Sequence, residues 1–240
     1  MLGVIVGSFL NVLGLRFRSG LGFGGRSFCP SCGKTLSVFE LIPILSFLLL
    51  KGKCKSCKTK ISIQYPLVEL WTGLLFVSLY HILGSTIQYL LFVLVFCVYT
   101  VILIYDLRHK IIPDSLVYIS ISLALISRFL AGGSAIDWLI GPILFSLFGF
   151  GWLISKGRAL GFGDAKLSLS IGLFLGGALG ISAIVLAFWI GAAVSITLML
   201  FSRKGITMKS EIPFAPFLIL GAWASLFFGL DLFHVYSFFN

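Results

Sequence analysis

The sequence predicts an all-α polytopic membrane protein, and three observations carry that prediction. Hydrophobic residues make up 59% of the 240 and charged residues 11%, at a mean hydropathy of +1.11. A soluble domain uses roughly 45–50% apolar and ~25% charged residues. The apolar residues form separate runs near the ~20 residues a helix needs to cross a bilayer, not the ~10-residue alternating segments of an outer-membrane barrel. Seventeen of the eighteen Lys and Arg residues gather in every second connection between those runs, as cytoplasmic loops do.

About eight transmembrane helices follow, near 2–15, 66–83, 86–105, 113–131, 136–154, 165–177, 180–201 and 213–230. The opening MLGVIVGSFLNVLGLRF has neither a basic start nor an A-x-A-like site, so it reads as a retained helix rather than a cleaved signal. Its Asn11 and small residues suit the inside of a bundle. Residues 167–201 carry no charge and are too long for one crossing, so the run is cut at Gly176, Gly177 and Gly180. One long tilted helix is the alternative. With the N-terminus outside, the connections 16–64, 106–110, 155–166 and 202–212 are cytoplasmic and both termini lie outside. Only Arg128, near the end of the fourth span, falls outside these connections. The net charge of +10 is mostly this topology signal, together with attraction to anionic membrane lipid. Nucleic acid is not an expected partner.

One connection is far longer than the rest, which divides the chain into a first helix (1–17), a cytoplasmic loop (18–64) and a bundle (65–240). CPSC and CKSC place Cys29, Cys32, Cys54 and Cys57 in two CxxC knuckles separated by 21 residues. Each knuckle can supply two ligands from one tight turn, and Gly33 relieves the turn after the first, so the set suits tetrahedral Zn2+. A reducing cytoplasmic side disfavours disulfides; a redox dithiol pair and unrelated cysteines are the competing readings. Four thiols leave no open position for water, so the zinc would be structural. Cys97, alone in the third span, reads as a packing residue. Between the knuckles FELIPILSFLLL is too short to span and is interrupted by Pro43, which makes it interfacial or re-entrant.

The eight acids are Glu40, Glu69, Asp106, Asp114, Asp137, Asp164, Glu211 and Asp231. Ionisable groups near a bilayer core are costly, so an acid at the end of a span is a functional candidate. Asp106 ends the third span and Asp164 begins the sixth, both on the cytoplasmic side. Asp114, after Pro113, reads as a helix cap. Capping does not explain Asp106, which the helix dipole disfavours. Around Asp164, Gly161 and Gly163 allow positive φ and close approach of another backbone. Two carboxyls brought together in a low-dielectric site share a proton. One can then take a proton from water while the other donates to a carbonyl oxygen, which hydrolyses a peptide bond. No Ser/His/Asp set competes: His81 and His234 lie on the opposite face, and His109 sits in a basic loop.

The chain resembles the type IV prepilin leader peptidases, also called prepilin peptidase/N-methyltransferases, nearly from end to end. The segments that carry the resemblance are GSFLNV (7–12), CPSCG (29–33), FELIPILSF (39–47), GKCKSC (52–57), ISIQYPLVE (61–69), DLRHKIIPD (106–114), GFGDAKL (161–167) and IPFAPFL (212–218). The resemblance implies an intramembrane aspartyl protease whose catalytic pair is Asp106 and Asp164, with Gly161, Gly163, Lys166 and Asp114 supporting it. It implies cleavage of the basic leader of prepilins or pseudopilins after a Gly, at the cytoplasmic face of the bacterial inner membrane. It also implies methylation of the new N-terminus with S-adenosylmethionine, to which Gly52 and Lys53 are linked and Glu40 and Glu69 can contribute. A solvated ion pair is the competing reading for Glu40, and packing against Lys or Arg for Glu69. The first span, starting at Met1, is shorter than family members usually show, and Ala215 stands where a Gly is common. Residues 18–64 have no glycine-rich strand-turn-helix fingerprint of their own. A proton-coupled transporter would need paired halves, and no convincing internal repeat is present. A catalytically dead assembly platform would not need both Asp106 and Asp164.

Overall fold

The computed structural model describes residues 1–18, 24–158, 160–201 and 212–232; Glu211 and His234 lie outside them. The chain forms two compact units, Met1–Gly84 and Ser85–Asn240. Among the described residues the only β pairing is two isolated bridges.

In the first unit, α1 (Leu2–Arg16) lies antiparallel to α3 (Gln64–Leu83). Small residues let the backbones touch: a Cβ on Gly3 would lie 2.8 Å from the Thr72 carbonyl oxygen, and one on Gly7 2.9 Å from Glu69 Cα. Asn11 is completely buried in this seam, as its position in an apolar helix suggests. The segment between the knuckles folds as a 3-10 turn (Val38–Leu41) and a single short helix, α2 (Leu45–Leu49).

The two knuckles are one turn built twice. Gly33 N–H donates to Cys29 O at 2.9 Å and Cys29 N–H to Lys34 O at 2.9 Å; Lys58 N–H donates to Cys54 O at 3.1 Å and Cys54 N–H to Thr59 O at 2.9 Å. Flanking bridges, Phe28 with Thr35 and Lys53 with Lys60, close each hairpin. The turn requires a left-handed residue four positions after the first cysteine. That residue is Gly33 at φ +69° in the first knuckle and Lys58 at φ +59° in the second.

The second unit comprises α4 (Ile87–His109), α5 (Asp114–Ala131), α6 (Ala135–Ser155), α7 (Phe162–Leu175), α8 (Gly177–Phe201) and α9 (Ala215–Phe228). Helix α7 packs against α5, α6, α8 and α9. It also meets α4 through the Tyr99–Ser170 hydroxyl contact at 2.9 Å and through Phe92 and Phe96, which pack on Phe174. Gly141 and Gly172 bring α6 and α7 together, since a Cβ on Gly172 would lie 2.7 Å from Gly141 Cα. Helix α6 buries Ile140, Leu144 and Phe148 and exposes Leu139, Ile143, Leu147 and Ile154. Apolar residues on both faces are what a helix between protein and lipid carries. Helices α3, α4, α5, α6 and α8 are long and apolar enough to cross a membrane, while α1 and α9 are shorter apolar helices. The protein is an all-helical, multi-pass membrane protein.

The uncharged run 167–201 does break, at Gly176 with φ +83°. Ending one helix inside the bundle and starting another orphans carbonyls on one side and N–H groups on the other. Arg128 donates from Nε to Leu173 O at 3.0 Å and from Nη2 to Phe174 O at 3.1 Å. Asp137 Oδ1 accepts the Gly177 N–H at 2.9 Å, while its Oδ2 accepts from Ser134 at the start of α6. The one basic residue outside the Lys- and Arg-rich connections is thus the one that caps this break.

Lys58 sits in a conformation that costs a residue with a Cβ about 1 kcal/mol, and Gly33 pays no such penalty. Nothing lies within 4 Å of a Cβ built on Gly33, so substitution there tests backbone strain alone. Gly33→Ala is expected to speed amide exchange in the first knuckle about fivefold, and Lys58→Gly to slow it in the second by a similar factor, read by hydrogen exchange with mass spectrometry.

Candidate active site

Asp106 lies in the last turn of α4, which runs to His109 before Lys110 ends it at φ +53°. Its carboxylate is 4% exposed and receives the backbone N–H of Ala215, the first residue of α9. That contact explains what α4 alone does not: the C-terminal end of α4 disfavours the charge, and the N-terminal end of α9 favours it. The other oxygen, Oδ2, is buried without a hydrogen-bond partner.

Asp164 is the third residue of α7 and is 8% exposed. Its Oδ2 accepts the Gly161 N–H at 3.1 Å, so it caps its own helix. The expectation that Gly161 and Gly163 adopt positive φ is corrected: Gly161 has φ −76° and Gly163 is helical. Gly163 is needed for a different neighbour, because a Cβ there would lie 2.9 Å from Ile112 Cβ, on the link between α4 and α5. A side chain rather than a second backbone makes the close approach. The Asp106 and Asp164 carboxylates are near enough to interact electrostatically. Each therefore rests on a helix N-terminus, α9 for one and α7 for the other.

Lys166 and Asp114 also come together. Lys166 Nζ lies 2.7 Å from Asp114 Oδ1, 5.1 Å from the Phe162 ring centre and 5.7 Å from that of Tyr118. The cap reading of Asp114 is corrected: it is the first residue of α5, its side chain makes no capping hydrogen bond, and its carboxylate ties α5 to α7 instead. His109 stacks on Tyr105 at 4.2 Å with Nδ1 3.2 Å from the Tyr105 carbonyl oxygen. Cys97 is partly buried in α4.

In the first unit, Glu40 is the third residue of the 3-10 turn and caps its start. Hydrogen bonds from the Ser37 N–H and hydroxyl, then Lys34 at 3.1 Å, hold its carboxyl down at about 2. This is the ion-pair reading of Glu40, with a capping role added. Gly52 turns the chain at φ +66° against the Phe47 ring, and Lys53 is exposed beside the second knuckle. Glu69 is 6% exposed on α3 and accepts the Ile44 N–H at 2.7 Å. The Ile44 backbone and the Ser8 side chain, not a Lys or Arg, meet it. Ile44 is held at φ +60°, a strained conformation for a β-branched residue. Neither Ile44 nor the Ala215 contact carries a sequence signal of its own.

The Sγ atoms of Cys29, Cys32, Cys54 and Cys57 lie within 4.8 Å of one another and could hold a metal ion. The surroundings act unevenly on these thiols: Thr59, through its hydroxyl at 3.2 Å and then its backbone, draws the Cys57 thiol down to about 6, and backbone hydrogen bonds from Ser31 and Cys32 lower that of Cys29. The Cys32 thiol is pushed up to about 11, a backbone hydrogen bond from Lys34 being outweighed by burial and the neighbouring cysteines.

Comparison with known proteins bears on both units. The bacterial peptidase A24 N-terminal domain matches residues 1–83 and the type IV leader peptidase family matches residues 91–196. The prepilin leader peptidase/N-methyltransferase of Pseudomonas aeruginosa is 31% identical over 98% of this chain and 91% of its own length. That of Bacillus subtilis is 32% identical over 98% and 94%, and that of Aeromonas hydrophila 32% identical over 85% and 72%. No solved structure matches. With two matched domains in chain order and relatives aligned over most of their own lengths, this chain belongs to the type IV prepilin leader peptidase/N-methyltransferase family.

Proposed function

We propose that the chain removes the basic leader from type IV prepilins or pseudopilins with Asp106 and Asp164, at the cytoplasmic face of the bacterial inner membrane, and methylates the amine so released. The observation that carries the peptidase reading is the pair of buried, interacting carboxylates, each set on a helix N-terminus. Between them one proton is shared. The ionised carboxylate takes a proton from water as the oxygen attacks the scissile carbonyl carbon, and the protonated one donates to the carbonyl oxygen. Collapse breaks the C–N bond and the leaving nitrogen takes the proton. The unpartnered Oδ2 of Asp106 is free for the water. A leader rich in Lys or Arg is drawn to the carboxylates, while the apolar helix behind the scissile bond stays in lipid.

The four cysteines are assigned to structural zinc that holds the loop. Zn–S bonds of about 2.3 Å in a tetrahedron place sulfurs about 3.8 Å apart, and Cys29 and Cys57 are 3.8 Å apart. Methyl transfer is assigned to the region of the loop, with Glu69 and the buried surface around it as the groups that bind. S-adenosylmethionine supplies the methyl group when bound.

Asp106→Asn and Asp164→Asn are each expected to lower leader cleavage by at least about 10³-fold, with folding intact by thermal melt in detergent. Near-normal cleavage by either variant removes that residue from the pair. Asp114 is 54% exposed in its bond to Lys166, so Asp114→Asn is expected to cost under about 1 kcal/mol and to keep substantial cleavage. Elemental analysis is expected to find about one zinc per chain, lost in Cys54→Ser; a metal-free protein with protected knuckle amides contradicts the assignment.

A further inference from the structure

The segment between the two knuckles carries more exposed apolar surface than a water-facing loop keeps. No residue of the 3-10 turn or of α2 is buried. Phe39 is 81% exposed and Leu49 73%, and Val38, Leu41, Leu45 and Leu48 are exposed with them. Leu45, Leu48 and Leu49 stand at i, i+3 and i+4 of α2, so they form one helical face. A contiguous apolar surface of this kind marks contact with a membrane or with another protein.

Two observations select the membrane. The first is depth. Ile44, the residue before α2, gives its N–H to Glu69 Oε2 at 2.7 Å. Glu69 is the sixth residue of α3, about 7.5 Å along the axis from its first. Its side chain tilts back toward the start of α3, so the tie falls within the first two turns of an apolar helix long enough to span a membrane. Beside it α3 exposes Leu67 and Leu70, as a helix facing lipid does. The segment is therefore held alongside a span and not beyond its end.

The second is charge. Helix α2 leads directly into the second knuckle, where the Gly52 N–H donates to Phe47 O at 2.9 Å and the Lys53 N–H to Leu50 O at 3.1 Å. Lys51, Lys53, Lys55, Lys58 and Lys60 are all exposed there. None of them forms an ion pair among the described residues. Glu40, the one acid between residues 38 and 60, is taken by Lys34. Four thiolates around Zn2+ would carry a charge of −2, which leaves this hairpin positive. An apolar face joined to a basic rim is complementary to a bilayer with anionic headgroups: acyl chains meet the first and phosphates the second.

We propose that residues 38–49 form a membrane-binding wedge that enters one leaflet beside α3, with Lys51, Lys53, Lys55, Lys58 and Lys60 holding anionic lipid headgroups at its rim. The wedge goes beyond the enzymatic readings and depends on neither of them. The interfacial or re-entrant expectation for FELIPILSFLLL thereby gains a depth and a lipid class. The cysteine cluster becomes a module laid on the bilayer surface, and the strained Ile44 is the point where Glu69 ties the wedge to α3.

The test uses the full chain in nanodiscs with Phe39→Trp or Leu48→Trp. Both side chains are exposed, so neither change disturbs a core, and if one variant fails a thermal melt the other decides. Emission above the wild-type background is expected to be quenched by lipids brominated on their acyl chains. Absence of that quenching overturns the wedge, and acrylamide then tells whether water or a protein surface covers the segment. In nanodiscs of equal parts phosphatidylglycerol and phosphatidylcholine, bromine is placed on one lipid at a time. Phosphatidylglycerol is expected to be enriched at the probe at least about fivefold, the effect of a single lysine near the surface. The triple variant Lys51→Gln, Lys55→Gln, Lys60→Gln keeps Lys53 and the left-handed Lys58 and is expected to bring the two lipids to parity. Equal quenching by both lipids before the lysines are changed, or a preference that survives the triple variant, overturns the headgroup assignment.

Discussion

The second unit is organised around ending a helix where no water can reach its backbone. Gly176 is buried, and the carbonyls of Leu173 and Phe174 and the amide of Gly177 would each be orphaned in a low-dielectric interior. Arg128 from α5 and Asp137 from α6 take these groups, so two of the helices packed on α7 are fixed to its end. A Cβ on Gly176 would lie 2.5 Å from Asp137 Oδ1 and 2.7 Å from Arg128 Nη2. Glycine is therefore required here twice, for its positive φ and for the room it leaves.

With its far end capped, α7 is a short rod enclosed by helices, and the position of its first turn is set. Asp164 sits in that turn, and α9 brings a second N-terminus to Asp106. Two helix N-termini turned toward two carboxylates ease the burial of negative charge that the apolar surroundings oppose. The Gly161 N–H takes Oδ2 of Asp164, and Oδ2 of Asp106 stays without a partner. Ala215 is fully buried, and its backbone N–H is what Asp106 uses.

In the first unit the loop buries little of its apolar material, and its order comes from repeated turns and a few polar anchors. Both knuckles use the same pair of backbone hydrogen bonds despite different residues at the left-handed position. Glu40 binds the turn before α2 to Lys34, and Glu69 binds Ile44. Two acids that look alike in sequence thus have different environments, one at a solvated cap and the other inside the α1–α3 seam.

Much of this was legible in the sequence because it rests on local rules. Apolar run length and basic loops gave the helices, CxxC spacing the cysteine cluster, and three glycines in an uncharged run the break near 176. That Asp106 and Asp164 could sit at one depth was readable from the spans they end and begin, and their interaction came only from the tertiary structure. Other features needed the tertiary structure because the partner is a backbone group far away in sequence, and backbone groups leave no residue-type signature. Ala215 N–H on Asp106, Ile44 N–H on Glu69 and the carbonyls on Arg128 are of this kind. The glycines around Asp164 show the same limit: composition announces that space is needed there, and only packing decides that Ile112 fills it.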